Sequence, residues 1–158
     1  HSPEGRSHNY YYLDSPDWAN VIAVTKDKDG QDCFVMVRQF RQGLQQITLE
    51  FPGGVVDDGE KPEAAARREL AEETGYQADR MLPAGTICPN PAIMNNWAYT
   101  FIAEDVHPAQ SQDLDDNELV DVELWPVSYV IEHMGTGVFV NAIMMVALDW
   151  YRRYTNYA

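Results

Sequence analysis

"GGVVDDGEKPEAAARRELAEETGY", residues 53–76, decides how this chain is read. A glycine pair and an acidic loop lead into a helix-forming run that Gly75 closes, with Pro62 at the first helical position, where proline is tolerated. At about 100° per residue, Glu69, Glu72 and Glu73 fall on one helix face about 100° wide. Like charges four residues apart destabilise a bare helix by roughly a few tenths of a kcal/mol, so helix stability does not favour the arrangement. The cluster calls for a cation. Oxygen-only ligands select hard divalent ions, and Mg²⁺ is commonly held by one or two carboxylates, waters and substrate phosphates. The plainer alternative is a solvated acidic face partly paired with Arg67 and Arg68.

Upstream, "NVIAVT" (20–25) and "CFVMVRQF" (33–40) are apolar and rich in β-branched residues, as buried strands are. The intervening "KDKDGQD" has the look of a calcium loop, but Thr25 and Met36 would hold its first and twelfth ligand positions. It reads as a hairpin turn on Asp29-Gly30. "QQITLEF" (45–51) is a further strand, ending at Pro52.

Downstream, "MLPAGTICPNPAIMNN" (81–96) reads as irregular. "WAYTFIAEDV" (97–106) reads as a strand with Trp97, Tyr99 and Phe101 on one face. The acidic loop "SQDLDDNE" (111–118) precedes the strand "LVDVELWPV" (119–127). A short helix follows, capped by Gly135, and then the amphipathic "NAIMMVALDWYRRY" (141–154). No repeat, low-complexity run or linker interrupts the 158 residues, so one α+β domain over 1–158 is expected, a mixed sheet with helices on its faces.

Composition narrows the partners. With 25 acidic and 11 basic residues the formal charge is −14, and its field repels nucleic-acid backbones and anionic membranes. The longest apolar stretch, "VFVNAIMMVAL", is about half of the roughly 20 residues a membrane span needs. Cys33 and Cys88 lack metal-ligand spacing and are expected to be reduced thiols in a cytoplasmic setting. The opening "HSPEGRSH" has neither an initiator Met nor a hydrophobic leader, so its first residues are expected to be foreign to the native start.

Counting from Gly54, five residues lead to Glu60 and seven more to Arg68-Glu69-Leu70-Ala71-Glu72-Glu73-Thr74-Gly75-Tyr76. At every fixed position this resembles the signature of the Nudix hydrolase family, which cleaves nucleoside diphosphates linked to another moiety. With nine specified positions, a chance match is on the order of 10⁻⁷. From about Tyr10 onward the chain is similar to that family's ADP-ribose and nucleotide-sugar pyrophosphatase branch.

The resemblance implies an α/β/α sandwich with a mixed sheet between helices and an N-terminal antiparallel strand region at about 1–16. It implies Mg²⁺, with Mn²⁺ as substitute, held by Glu69, Glu73 and the Gly53 carbonyl. Glu72 would be a third ligand or would orient the attacking water. Arg68 and Glu60 would pair to brace the loop without touching substrate.

For the substrate, Arg41 in "FVMVRQFRQG" would contact the diphosphate. Trp18 would stack on a nucleobase, or else serve the core or a dimer interface. Pro91, sixteen residues after Gly75, stands where ADP-ribose hydrolases carry a marker proline, although the turn around Pro89 would use it on any reading. The Asn95-Asn96 pair could offer polar contacts to a sugar. Asp116 and Glu118 in the acidic loop are candidates for the catalytic base, with Asp113 and Asp115 as neighbours; a generic acidic loop would carry the same letters.

The implied activity is Mg²⁺-dependent hydrolysis of ADP-ribose or another nucleoside diphosphate sugar by a homodimer. Trp150 either contributes to the dimer or closes the core. The alternatives are a Nudix-fold sensor without hydrolytic activity and a hydrolase of nucleoside triphosphates or coenzyme A.

Overall fold

The apolar run around Val21 forms β1 (Trp18–Lys26) in the computed structural model, which describes Gly5 and residues 9–114 and 119–156. Residues 19–24 are buried whichever side they face, as befits a strand covered by helices on both sides. β1 pairs antiparallel with β2 (Asp32–Arg41). The turn between them is the one the sequence suggests: Asp27 Oδ1 accepts from the N–H groups of Asp29 and Gln31, and Gly30 takes φ +82°.

β1 and β2 are register partners only over Ala23–Lys26 and Asp32–Val35, and beyond that they diverge. The chain from 46 to 55 fills the opening. β3 (Gln46–Glu50) pairs with the far end of β2, and β4 (Gly53–Val55) with Trp18, Ala19 and Asn20 of β1. Pro52, with no N–H to leave unpaired, marks the crossing, and its carbonyl accepts from Val21 N–H at 2.9 Å.

On its other side β1 runs parallel to β7 (Ala98–Ala103), which pairs with β6 (Leu82–Ile87); β9 (Val120–Pro126) pairs with β2. The strand at 82–87 corrects the irregular reading of 81–96. Pro83 and Gly85 look like breakers in sequence, but the register shifts between them, and a bulge at a sheet edge accepts both.

Two apolar layers flank the sheet. α1 (Pro62–Thr74) places Ala65, Ala66 and Leu70 against Ala19, Val21, Ala23 and Val35. α2 (Val127–His133) and α3 (Ala142–Thr155) cover Ile22, Val24, Phe34 and Met36 from the opposite side. This is the expected α/β/α sandwich. Trp97 precedes β7 and is half exposed, whereas Tyr99 and Phe101 pack in the α1 layer. A small ribbon of β5 (Tyr76–Gln77) and β8 (His107–Pro108) ties the end of α1 to the chain after β7.

The N-terminal antiparallel strand region is not found among the described residues. There, only Leu13 makes a β-bridge, a parallel one to Met94. Pro16 supplies no N–H, and Tyr10, Tyr11 and Tyr12 stay exposed with no neighbouring strand. The segment is a strap instead, held by Leu13 N–H to the Ile93 carbonyl, Asn96 Nδ2 to the Pro16 carbonyl and Trp97 N–H to Asp17 Oδ1.

Trp150 lies over Gly85, where a methyl group would run into its indole ring, so it packs within its own chain. Among the described residues no helix is long and apolar enough to cross a membrane, and both cysteines are free thiols.

Gly75 ends α1 with φ +73°, and a Cβ there would strike the Gln110 carbonyl. Gly75→Ala is expected to lower stability by about 1–2 kcal/mol or more, measured by urea unfolding.

Candidate active site

α1 turns part of its acidic face toward the sheet. Glu69 and Glu73 are 9% and 4% exposed, so neither belongs to a solvated face, while Glu72 is intermediate. Burying carboxylates is costly unless partners meet them, and the glycine strand supplies two arrangements. Gly53 N–H donates to Glu73 Oε2 at 2.7 Å. Gly54 lies against Glu69 so closely that a Cβ would collide with its carboxylate. Gly53 itself approaches β1 too closely for any side chain, its Cβ position falling 2.6 Å from Asn20 Cα.

Arg68 is the hub of the acidic cluster. Its Nε and Nη2 donate to the two carboxylate oxygens of Glu60 at 3.2 and 3.0 Å, and Nη2 also donates to the Val55 carbonyl at 2.9 Å. This is the expected brace between loop and helix. Nη1 goes further, donating to Glu69 Oε1 at 2.8 Å and Glu72 Oε2 at 3.1 Å. The bond to Glu60 does most to hold the guanidinium charged beyond its ordinary range; burial opposes this, and Glu69 and Glu72 add to it. The same bond draws Glu60 below the usual carboxylate range. Arg67 faces away, to Glu63 and the Ala78 carbonyl.

A second network stands across the glycine strand. Glu50, 2% exposed at the end of β3, accepts from Arg41 Nε at 3.0 Å and Nη2 at 2.7 Å, from Thr48 Oγ1 at 2.7 Å and from Asn141 Nδ2 at 2.7 Å. Asn141 also caps α3, its Oδ1 accepting from Ile143 N–H at 2.9 Å. Burial pushes the Glu50 carboxyl up, but the Arg41, Thr48 and Asn141 bonds outweigh it, and the net shift is below the ordinary 4.5.

Two cavities meet at Arg41 and Gly53–Val55. One, of about 560 Å³, is lined by Glu69, Glu72, Glu73, Arg68, Asp57, Gln39, Asp113 and Leu114. The other, of about 300 Å³, is walled by Trp18, Phe51, Ile143 and Met144, with Asn20, Glu50 and Asn141 among its polar groups. The structure thus brings together Gly53, Glu69, Glu72, Glu73, Arg41 and Trp18.

Pro91 is not brought in. It begins an exposed turn at 91–93 and lines neither cavity, because the following segment is drawn to the N-terminal strap. Asn95 and Asn96 are likewise committed to that strap, through Asp14, Ser15 and Pro16. Asp116 and Glu118 lie outside the described residues. The chain just before them is anchored to the end of α1: Gln112 Nε2 donates to the Glu73 carbonyl, and Asp113 N–H to the Glu72 carbonyl at 2.9 Å.

Sequence reading missed Asn20, Glu50, Gln112 and Asn141. A polar residue inside the apolar runs "WANVIAV" and "ITLEF" was the available signal for the first two. Gln112 and Asn141 carried none beyond an ordinary loop and helix start.

The donor set around Glu69, Glu72, Glu73 and the Gly53 carbonyl is all oxygen and strongly anionic, which fits a hard divalent cation, and Gly54 leaves the room beside Glu69. Among the described residues no three acidic, imidazole or thiol groups converge on one point as they stand. Arg68 and the Gly53 N–H hold these carboxylates instead.

An α/β/α sandwich with a glycine strand laid over a carboxylate helix defines a class of protein, and the comparison with known sequences agrees. The NUDIX domain profile matches residues 16–139, and the chain belongs to that family. The ADP-ribose pyrophosphatase of Bacillus subtilis (strain 168) is 32% identical over 121 residues, covering 76% of this chain and 63% of that one. The methanol dehydrogenase activator of Bacillus methanolicus is 30% identical over 149 residues, covering 94% and 78%. The chain thus spans under two thirds of the length of the first of these relatives. A crystal structure of an ADP compounds hydrolase shares the fold at a TM-score of 0.74 and 24% identity, covering 89% of this chain and 75% of that one.

Two outcomes test the geometry. Gly53→Ala must part β4 from β1 and is expected to lower stability by about 1–3 kcal/mol in urea unfolding. The stabilisation from Glu50, whose folded pKa is depressed, is present above its unfolded value and is lost as pH falls through the lower folded one. Glu50→Gln is therefore expected to unfold more readily near neutrality and to show a shallower loss of stability in acid, read from unfolding midpoints across pH.

Proposed function

We propose that this domain hydrolyses the diphosphate bond of ADP-ribose or a related nucleoside diphosphate sugar, releasing a nucleoside monophosphate and a sugar phosphate, with Mg²⁺ as cofactor and Mn²⁺ as substitute. One observation carries the reading: an apolar cavity walled by Trp18 and an acidic cavity built on α1 join at Arg41 and the glycine strand. That is the division of a ligand with a flat apolar end and a polyanionic middle. The names of the Bacillus subtilis relative and the structural neighbour point the same way.

In this reading Trp18 stacks on the base and Arg41, oriented by Glu50, meets the diphosphate. Glu69, Glu73 and the Gly53 carbonyl hold the ion; Glu72, the most exposed of the three glutamates, turns from Arg68 to join them or to orient water. The bound ion supplies charge neutralisation at the diphosphate and acidifies water. A carboxylate of the 113–118 loop, Asp116 or Glu118 in the first instance, accepts the proton from the attacking water. Asp113, already in the cavity wall, is the carboxylate of that loop that lies among the described residues. Arg68 and Glu60 stay structural.

The reading includes a homodimer in a cytoplasmic setting. The exposed Tyr10, Tyr11, Tyr12 and Leu13 offer apolar surface for that contact; Trp150 is already used within the monomer.

Glu73→Gln keeps an acceptor for the Gly53 N–H while removing the charge. Wild type is expected to cleave ADP-ribose only with Mg²⁺, detected as phosphate released by a coupled phosphatase, and Glu73→Gln to be slower by about 100-fold or more. Equal rates in the two would defeat the role given to Glu73, and no cleavage of any nucleotide sugar by wild type would leave the sensor reading. Faster turnover of nucleoside triphosphates or coenzyme A would favour the third.

A further inference from the structure

Glu50 accepts two hydrogen bonds on each of its carboxylate oxygens. Oε1 takes Arg41 Nε at 3.0 Å and Thr48 Oγ1 at 2.7 Å; Oε2 takes Arg41 Nη2 and Asn141 Nδ2, both at 2.7 Å. Two N–H bonds from one guanidinium to one carboxylate join the groups as a unit, so whatever sets the plane of the Glu50 carboxylate also sets the direction of Arg41. The terminal torsion of a glutamate is broad, and contacts from outside the residue must fix it.

Thr48 lies two residues back on β3 and moves with Glu50. Asn141 does not: it opens α3, 91 positions away. Its Oδ1 accepts from Ile143 N–H at 2.9 Å, which commits the amide oxygen to the helix and turns the NH₂ group to the carboxylate. The opposite orientation would set two oxygens together at Glu50. A second tie, Phe51 N–H to Met144 Sδ, joins the same helical turn to the residue after Glu50. Ile143 and Met144 in that turn wall the 300 Å³ cavity, and Arg41 stands where this cavity meets the acidic one.

Capping alone does not account for the asparagine. Aspartate and serine cap a helix about as well, but neither caps and donates to Glu50 at once: the aspartate carboxylate has no hydrogen to give, and the serine hydroxyl stops one bond short. We propose that Asn141 is a positioning residue that aims Arg41 at the diphosphate, acting through the Glu50 carboxylate, and so ties the place of the arginine to the cavity wall formed by the first turn of α3. This rests on the reading above, in which Arg41 meets the diphosphate, and it adds the residue that directs it.

Asn141→Asp and Asn141→Ser keep a cap and remove the donor, so α3 still starts at the same place while the Glu50 carboxylate loses its contact from that helix. A structural and a positioning role both lower Tm in these variants, so the deciding readouts are kinetics and binding. KM for ADP-ribose with Mg²⁺ is expected to rise roughly tenfold in both variants with kcat within about twofold of wild type, the pattern of a lost binding contact. In calorimetry with Mg²⁺, ADP is expected to bind both variants roughly tenfold more weakly, and adenosine, which carries no phosphate, as it binds wild type. Arg41→Lys, which cannot form the fork, is expected to weaken ADP in the same way, and the double variant with Asn141→Ser to be no weaker than Arg41→Lys alone.

Wild-type KM and ADP affinity in both variants would leave Asn141 a helix cap only and overturn the proposal. So would equal weakening of ADP and adenosine, which would place the effect in the cavity wall, additive losses in the double variant, or no saturable binding of ADP by wild type. Failure of the hydrolysis reading is separate: wild type then cleaves no nucleotide sugar, while the ADP and adenosine titrations still decide the role of Asn141.

Discussion

The close approach of Gly53-Gly54 to α1 is the constraint on which the rest depends. It has two requirements that only this geometry meets together: the strand carries no side chains, and the helix beneath it presents carboxylates instead of apolar groups. The Gly53 N–H to Glu73 bond fixes the distance, and the contact of Gly54 with Glu69 leaves no space for a methyl group. β4 can lie there because β1 and β2 diverge, and β3 and β4 close the opening on either side of Pro52.

That approach would be electrostatically untenable without the two arginines. A chain of net charge −14 places Glu50, Glu69 and Glu73 in buried positions, and each region is answered by a guanidinium suited to several oxygens at once. Arg68 gathers Glu60, Glu69 and Glu72 on one side of the strand; Arg41 bonds Glu50 on the other. Both line the acidic cavity, and Arg41 also reaches the apolar one. The groups that brace the glycine strand therefore also line the cavities on either side of it.

Much of this was legible in the residues. The helix 62–74, its proline start and glycine stop, and the face shared by Glu69, Glu72 and Glu73 follow from spacing alone, because a helix fixes angular position by sequence number. The strands at 18–26, 32–41 and 98–103 follow from buried apolar runs. The strand at 82–87 did not, since local breakers are overruled at a sheet edge by pairing that the sequence does not display. The N-terminal strand region that the resemblance implies is not found among the described residues, where Leu13 makes a single bridge to Met94.

By itself the sequence determined which residues share the acidic helix face and which family the chain belongs to, because both rest on short, fixed spacings. Only the tertiary structure decided that Glu50 and Asn141 would meet 91 positions apart, that Asn20 would end in a cavity wall without a partner, and that Pro91 would stay outside. Those are consequences of where strands cross and diverge. Such contacts join residues distant in the chain, and no local pattern of residue types encodes them.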